Sequence, residues 1–194
     1  LIYSFLQNNN LESSKSPIIS ELLADFKTEP KTYLLVSTLD IKELKLLENY
    51  LELLIPTNDR KVNGAFFTPT YVVDFIIKEV SPKNKDKCLD PSCGCGAFLI
   101  GLVEYYQKAF NKSIKEIIKE NIYGSDILNY NVKRSKIILS LLGLLNNEII
   151  EESDFNIYNQ DSLKTNWKNE FEIIVGNPPY VKFQDLSDEN RLYL

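Results

Sequence analysis

Lys87-Cys88-Leu89-Asp90-Pro91-Ser92-Cys93-Gly94-Cys95-Gly96-Ala97-Phe98 is the stretch that decides how this chain folds. A short apolar segment ending in an acid reads as a strand, and Pro91 to Gly96 as a turn of small residues. Ala97-Phe98-Leu99-Ile100 then opens a helix running towards Phe110. Strand, glycine turn and helix in that order form the first half of a dinucleotide-type α/β unit. Glycines at the turn let the backbone approach a ligand closely. The turn lacks the three-glycine dinucleotide fingerprint, and an acid at the strand tip is unwelcoming to a pyrophosphate. Asp90 suits a ligand carrying positive charge or hydroxyl and amino donors. The plainer reading, a turn-forming Asp-Pro, is opposed by the glycines beside it.

Downstream, the same pattern repeats. Asn121-Ile122-Tyr123-Gly124-Ser125-Asp126 is a second short strand ending in a carboxylate, followed by a helix from about Asn129 to Leu142. An acid at that tip is placed to accept ribose hydroxyls. Phe155-Asn156-Ile157-Tyr158-Asn159 is a weaker third strand leading to Asp161-Ser162, a carboxylate that could accept an adenine amino group or simply form a turn. Glu172 to Val175 is the fourth, an apolar β-branched run that reads as buried. It stops at Gly176, and Asn177-Pro178-Pro179-Tyr180 follows. Two prolines cannot continue a ladder and hold a stiff, extended backbone. That tip presents an amide, donor-free carbonyls and an aromatic face, which suit a planar substrate bearing an amino group. Asn-Pro is also a common turn signal. In open parallel sheets ligands sit beyond the carboxyl ends of the strands, so three acids and an amide on four successive tips are read together as one site.

Upstream, Gly64-Ala65-Phe66-Phe67-Thr68-Pro69 precedes Tyr71, Val72, Phe75, Ile76 and Val80 at helical spacing. Thr68 is placed to cap this helix with Pro69 at its first position, and the end could hold a carboxylate. Thr57 to Lys61 reads as a linker. Residues 1–60 read as a small helical region without identifiable chemistry. One helix starts at Ser16-Pro17 and runs through Ile18, Leu22, Leu23 and Phe26. Another begins at Asp40, with Glu43 as a capping-box partner and Leu44, Leu47, Leu51 and Leu54 as a packing stripe.

Composition narrows the classes. There are 22 Lys plus Arg against 27 Asp plus Glu, an acidic balance that argues against this chain gripping DNA by itself. No apolar stretch reaches the roughly 20 residues a membrane helix needs and no signal peptide opens the chain, so a cytoplasmic protein with no membrane partner is expected. Three cysteines, Cys88, Cys93 and Cys95, fall in one segment and there is no histidine. That combination opposes a disulfide framework and a zinc site, so no metal is expected, and it removes every Ser-His or Cys-His mechanism. The chain begins with Leu1 and contains no Met, so it reads as a piece of a longer protein.

The ordered set Phe67-Thr68-Pro69, Asp90-Pro91-Ser92-Cys93-Gly94-Cys95-Gly96-Ala97-Phe98, Asp126, Asp161 and Asn177-Pro178-Pro179-Tyr180 resembles the amino-methylating DNA adenine methyltransferases of restriction-modification systems. It is most similar to the branch whose cofactor motifs precede the catalytic tetrapeptide, as in type I modification subunits and fused, type IIG-like enzymes. The resemblance covers about residues 60–183. It implies an incomplete Rossmann-like S-adenosylmethionine-dependent methyltransferase sheet over residues 61–194, preceded by the helical region 1–60.

The cofactor implied is S-adenosylmethionine. Carried over by position, Thr68 beside Phe67 would meet its methionine carboxylate. Asp90, Pro91, Ser92 and the Cys93, Gly94 and Gly96 backbone would line the methionine end. Asp126 with Ile127 would take the ribose hydroxyls, and Asp161 with Ser162 the adenine amino group. Asn177, which also borders the cofactor, and Pro178 would hold the substrate amino group, with Pro179 stiffening the tip and Tyr180 stacking on a flipped base. The implied partners are double-stranded DNA with an extruded adenine and a target-recognition domain or specificity subunit outside this stretch. On that reading the chain alone is expected not to methylate DNA specifically. The rivals are a protein-glutamine or RNA adenine methyltransferase, and an inactive structural module of a restriction complex. Asp90-Pro91-Ser92-Cys93 and the Phe-Thr-Pro element favour DNA.

Overall fold

A computed structural model describes residues 1–24, 30–54, 68–168 and 170–180. Four short strands, β1 (Cys88–Asp90), β2 (Ile122–Asp126), β3 (Ile157–Asn159) and β4 (Ile173–Ile174), form a sheet in the order β3-β2-β1-β4, every pairing parallel. The chain works outward from β1 in one direction and then jumps back to its other side. The β1–β4 junction is therefore the switch point at which such sheets hold ligands. This is the α/β, Rossmann-like arrangement the sequence implied.

Helices α1 (Ile2–Asn8), α2 (Pro17–Ala24), α3 (Pro30–Ser37) and α4 (Leu44–Leu53) precede the sheet, and α5 (Thr70–Val80) leads into β1. Helices α6 (Ala97–Phe110), α7 (Ile114–Glu120) and α8 (Asn129–Leu145) connect the strands. The sheet face formed by Cys88, Ile122 and Gly124 turns towards α6: the Tyr106 hydroxyl lies 3.5 Å from the Cys88 thiol, and a Cβ on Gly124 would stand 3.1 Å from Leu99. Helices α2 and α4 pack on α8 as a further layer. Phe5, Ile19, Ile41, Leu47 and Leu51 accordingly belong to the same buried cluster as Leu99, Leu102 and Ile138.

Several local readings shift. Helix α2 begins at Pro17 with the Ile19 amide donating to Ser16 Oγ at 3.4 Å, as expected. The helix expected from Asp40 begins only at Leu44. Glu43 is its N-cap without a side-chain bond, and Asp40 is drawn instead to Lys42 at 3.0 Å. Helix α8 runs three residues beyond the expected Leu142, and β3 starts two residues later than Phe155. Helices α1, α3 and α7 are additions. In β4, Ile173 and Val175 are buried but Ile174 is 64% exposed, so this run is half-buried rather than fully buried. It lies at the sheet's edge, on the face shared with Leu89, Tyr123 and Tyr158. Phe171 covers Tyr123 there, ring centroids 5.1 Å apart. Phe26, the Thr57 to Lys61 linker and Phe67 lie outside the described residues.

Candidate active site at the strand tips

The turn after β1 is tied down from three sides. Cys93 N donates to Ser125 O at 2.9 Å, and Gly94 N to Asp126 Oδ2 at 3.0 Å. Ser135 Oγ, from α8, donates to Gly94 O at 2.8 Å. Ser125 and Ser162 both direct hydroxyls to Pro91 O, which draws the turn after β3 onto the turn after β1. Gly94 and Gly96 hold φ of +53° and +100°, conformations that suit glycine. A Cβ on Gly94 would meet nothing within 4 Å, so the loop presents open space there, whereas one on Gly96 would press on Ser135 at 3.4 Å.

Asp90 is 1% exposed and accepts one bond, from Ser92 N at 3.0 Å. Among the described residues no lysine or arginine pairs with it. Burial pushes its carboxyl up to about 7, and the nearby Asp126 adds to the shift. A buried acid without a counter-charge is a receptor for a cation. The cysteines cannot serve as nucleophiles. Burial pushes Cys88 up to about 11, Cys95 up to about 12 and Cys93 well above the ordinary thiol value, so all three are protonated at neutral pH.

Asp126 is 9% exposed and already well occupied. Its Oδ1 accepts Leu128 N at 2.8 Å and Asn131 Nδ2 at 3.2 Å, and its Oδ2 accepts Gly94 N. Four lone-pair positions less these three leave room for one further donor, at Oδ2. Ile127 beside it is 61% exposed. Asp161 is partly exposed, its Oδ1 accepting Leu163 N at 3.1 Å and its carbonyl accepting Thr165 Oγ1 at 2.7 Å, so it forms the turn that follows β3. Across the sheet the tips follow one another as Asp161, Asp126, Asp90, Asn177.

At the β4 tip, a Cβ on Gly176 would lie 2.6 Å from Asp90 Oδ1. Only glycine lets the tetrapeptide come this close to β1. Asn177 Nδ2 then donates to Thr68 Oγ1 at 3.1 Å across 109 residues of sequence, which turns the amide oxygen away from Thr68 and leaves it available as an acceptor. This corrects the expected role of Thr68. Helix α5 begins at Thr70, its N-cap is Pro69, and no side chain caps it. The Thr68 hydroxyl is claimed by Asn177 instead, while its own proton remains able to meet a carboxylate. Pro178, Pro179 and Tyr180 are exposed, Tyr180 by 67%. Glu52, Thr68, Asp90, Gly94, Cys95 and Asn177 all border one cavity of about 40 Å³.

The family model described as N-6 DNA Methylase matches residues 45–192, about three quarters of the chain. The chain belongs to the N-6 DNA methylase family. It is 32% identical over 121 residues to the type I restriction enzyme MjaVII methylase subunit of Methanocaldococcus jannaschii, a match covering 60% of this chain and 18% of that protein. It is 30% identical over 137 residues to the type I restriction enzyme MpnII methylase subunit of Mycoplasma pneumoniae, covering 63% and 23%. The chain thus spans about a fifth of the length of these curated relatives. In fold it is similar to the modification subunit of a putative type I restriction enzyme from Vibrio vulnificus, with TM-score 0.54, 16% identity and coverage of 89% and 39%. It is also similar to MmeI, a type IIL restriction-modification enzyme solved with DNA, with TM-score 0.58, 15% identity and coverage of 84% and 30%.

Around this candidate site of the N-6 DNA methylase chain, residue-by-residue reading misses some residues. Gly176 was noted only as a strand end, although its place before a functional tip signals a close approach. Ser135 and Asn131 hold the loop and Asp126 from α8, where they looked like ordinary polar positions. Glu52 belongs to a helix that read as packing alone, and nothing in its local sequence marks it.

Proposed function

We propose that this chain is the cofactor-binding and catalytic part of a methyltransferase that moves the methyl group of S-adenosylmethionine to the exocyclic N6 amino group of adenine in DNA, as the modification arm of a restriction-modification system. The observation that carries the reading is the seating of Asn177. Its amide nitrogen is held by Thr68, its oxygen is left for a substrate amine, and it stands beside the buried, cation-seeking Asp90.

When bound, S-adenosylmethionine supplies a methyl group on a sulfonium, an electrophile needing no further activation. The donor set fits it. Asp90 suits the ammonium, the Thr68 hydroxyl the carboxylate, and the remaining acceptor position on Asp126 one ribose hydroxyl. Asp161, with Ser162 beside it, suits the adenine amino group, and Ile127 lies next to Asp126 at the ribose. Pro91, Ser92, Cys93 and the two glycines form the loop that the methionine end approaches.

Adenine's amino nitrogen is a poor nucleophile because its lone pair is delocalised into the ring. Asn177 Oδ1 and the Pro178 carbonyl can accept its two hydrogens, draw it towards a tetrahedral shape and localise that pair. Pro178 and Pro179 keep these acceptors rigid, so the catalysis is positional and electrostatic. The protonated thiols have no nucleophilic part to play. The target amine is inaccessible inside a duplex, so the base is extruded at a cost of a few kcal/mol, and stacking on Tyr180, worth roughly 1–3 kcal/mol, offsets part of it. Target choice belongs to a recognition domain or specificity subunit, in keeping with the chain's acidic balance. A cytoplasmic setting follows from a DNA substrate and unpaired thiols.

Methyl transfer from labelled S-adenosylmethionine to DNA, RNA and protein acceptors, using the full-length protein, tests this. DNA adenine should be the acceptor, and Asn177→Ala should lower turnover by about 100-fold or more while cofactor affinity changes by less than about threefold. Transfer to RNA or protein alone, or undiminished turnover in the variant, would refute the reading.

A further inference from the structure

The cavity beside the glycine loop has a wall that the strand tips do not supply. Helix α4, from the helical layer ahead of the sheet, brings Glu52 to the same cavity as Thr68, Asp90, Gly94 and Asn177. Glu52 is half-buried there and shares the lining with Cys95 and Gly94 of the turn. One helical turn earlier, Glu48 is 1% exposed, one carboxylate oxygen 3.8 Å from Lys45 Nζ and the other lacking a hydrogen-bond partner. Helix α4 therefore brings an acid, Glu52, to the loop that the methionine end of the cofactor would approach, although α4 reads as plain packing.

Each end of an amino acid needs opposite partners. The carboxylate end is met by hydroxyl and backbone donors, here Thr68 and the start of α6. An ammonium carries three donors and is best met by several acceptors converging from different sides. Asp90 alone offers one side, and its Oδ1 is already engaged with Ser92 N. Glu52 borders the same cavity from a different element, α4, which packs against α8.

We infer that Glu52 is a second ammonium-binding carboxylate, so that α4 forms one wall of the S-adenosylmethionine site and the helical layer belongs to the binding machinery. The inference rests on the cofactor reading given above. It makes the grip on the α-amino group a clamp between the β1 tip and α4, and it couples the packing of α4 on α8 to cofactor affinity.

Calorimetric titration of the full-length protein and its Glu52→Gln variant, each with S-adenosylmethionine and with an analogue lacking the α-amino group, tests this. The wild type should bind the analogue at least about tenfold more weakly than the cofactor. In Glu52→Gln that gap should shrink to about threefold or less, with cofactor affinity reduced about tenfold and analogue affinity nearly unchanged. Glu52→Asp should recover part of the gap, and unliganded melting temperatures of all three proteins should agree, which separates a lost contact from a lost fold. Equal cofactor affinity in wild type and Glu52→Gln, or equal weakening for both ligands, would overturn the inference while leaving the cofactor reading standing. Failure of the wild type to bind S-adenosylmethionine would overturn both.

Discussion

The tip of β1 and the tip of β4 lie against each other yet are built in opposite ways. The turn after β1 is partly to fully buried, and its backbone is pinned by Ser125, Asp126 and Ser135. The tetrapeptide after β4 follows a two-residue edge strand, and its last three residues are exposed. Its Asn177 amide donates to Thr68 Oγ1 at 3.1 Å. The contrast teaches a division of labour. On the proposed reading, the cofactor end is preorganised by the chain's own core, whereas the substrate end is an exposed tip whose Asn177 is held by Thr68. Cofactor binding and methyl transfer should therefore be separable by mutation.

The largest effect on cofactor affinity should come from the buried acid on the rigid side. Asp90→Asn removes the charge that would meet the ammonium, and cofactor affinity should fall by about 10- to 100-fold, the scale of a charged hydrogen bond. The same change should stabilise the unliganded protein at pH 8. The Asp90 carboxyl titrates near 4 when unfolded and near 7 when folded, so the folded state binds the extra proton between those values. Stability from this group is full below about 4 and is lost as pH rises to about 7. Melting curves from pH 4 to 8 should show wild type falling relative to Asp90→Asn across that window. Cofactor affinity should rise with pH through about 7 in wild type and stay level in the variant. A variant with unaltered affinity would break the comparison at its rigid end.

A smaller effect is expected where the two tips touch. Gly176→Ala places a methyl against Asp90 Oδ1 and should cost roughly 1–3 kcal/mol by thermal unfolding, with turnover falling more steeply than cofactor affinity. If affinity falls as steeply as turnover, the two tips act as one unit. The smallest effect belongs to the loop's support. Ser135→Ala removes one bond to Gly94 O, should cost about 1 kcal/mol, and should weaken cofactor binding severalfold without a separate loss of turnover.

Much of this arrangement was legible because its signals are local. Each of the first three strands leads into a carboxylate within two residues, and the fourth into Asn177, so their alignment follows once the order β3-β2-β1-β4 is taken. What escaped was set by partners distant in sequence. Thr68 had every local mark of a helix cap, yet its hydroxyl faces Asn177. Asp40 and Glu43 matched a capping box, but Asp40 found Lys42 nearer. Glu52 gained its place from the packing of α4 on α8, which no spacing within α4 encodes. Helix α7 did carry a readable sign, Ser113 with Glu116 three residues on, and Ser113 Oγ does accept Glu116 N at 3.1 Å.

The strand order also has a consequence for how the chain acquires its shape. β2 finds β1 and β3 across short connections, but β4 must close the long loop between Cys88 and Ile173. Closure entropy grows with loop length, and only two β4 residues are there to reward it. Asn177 therefore depends on the most entropically demanding contact of the sheet.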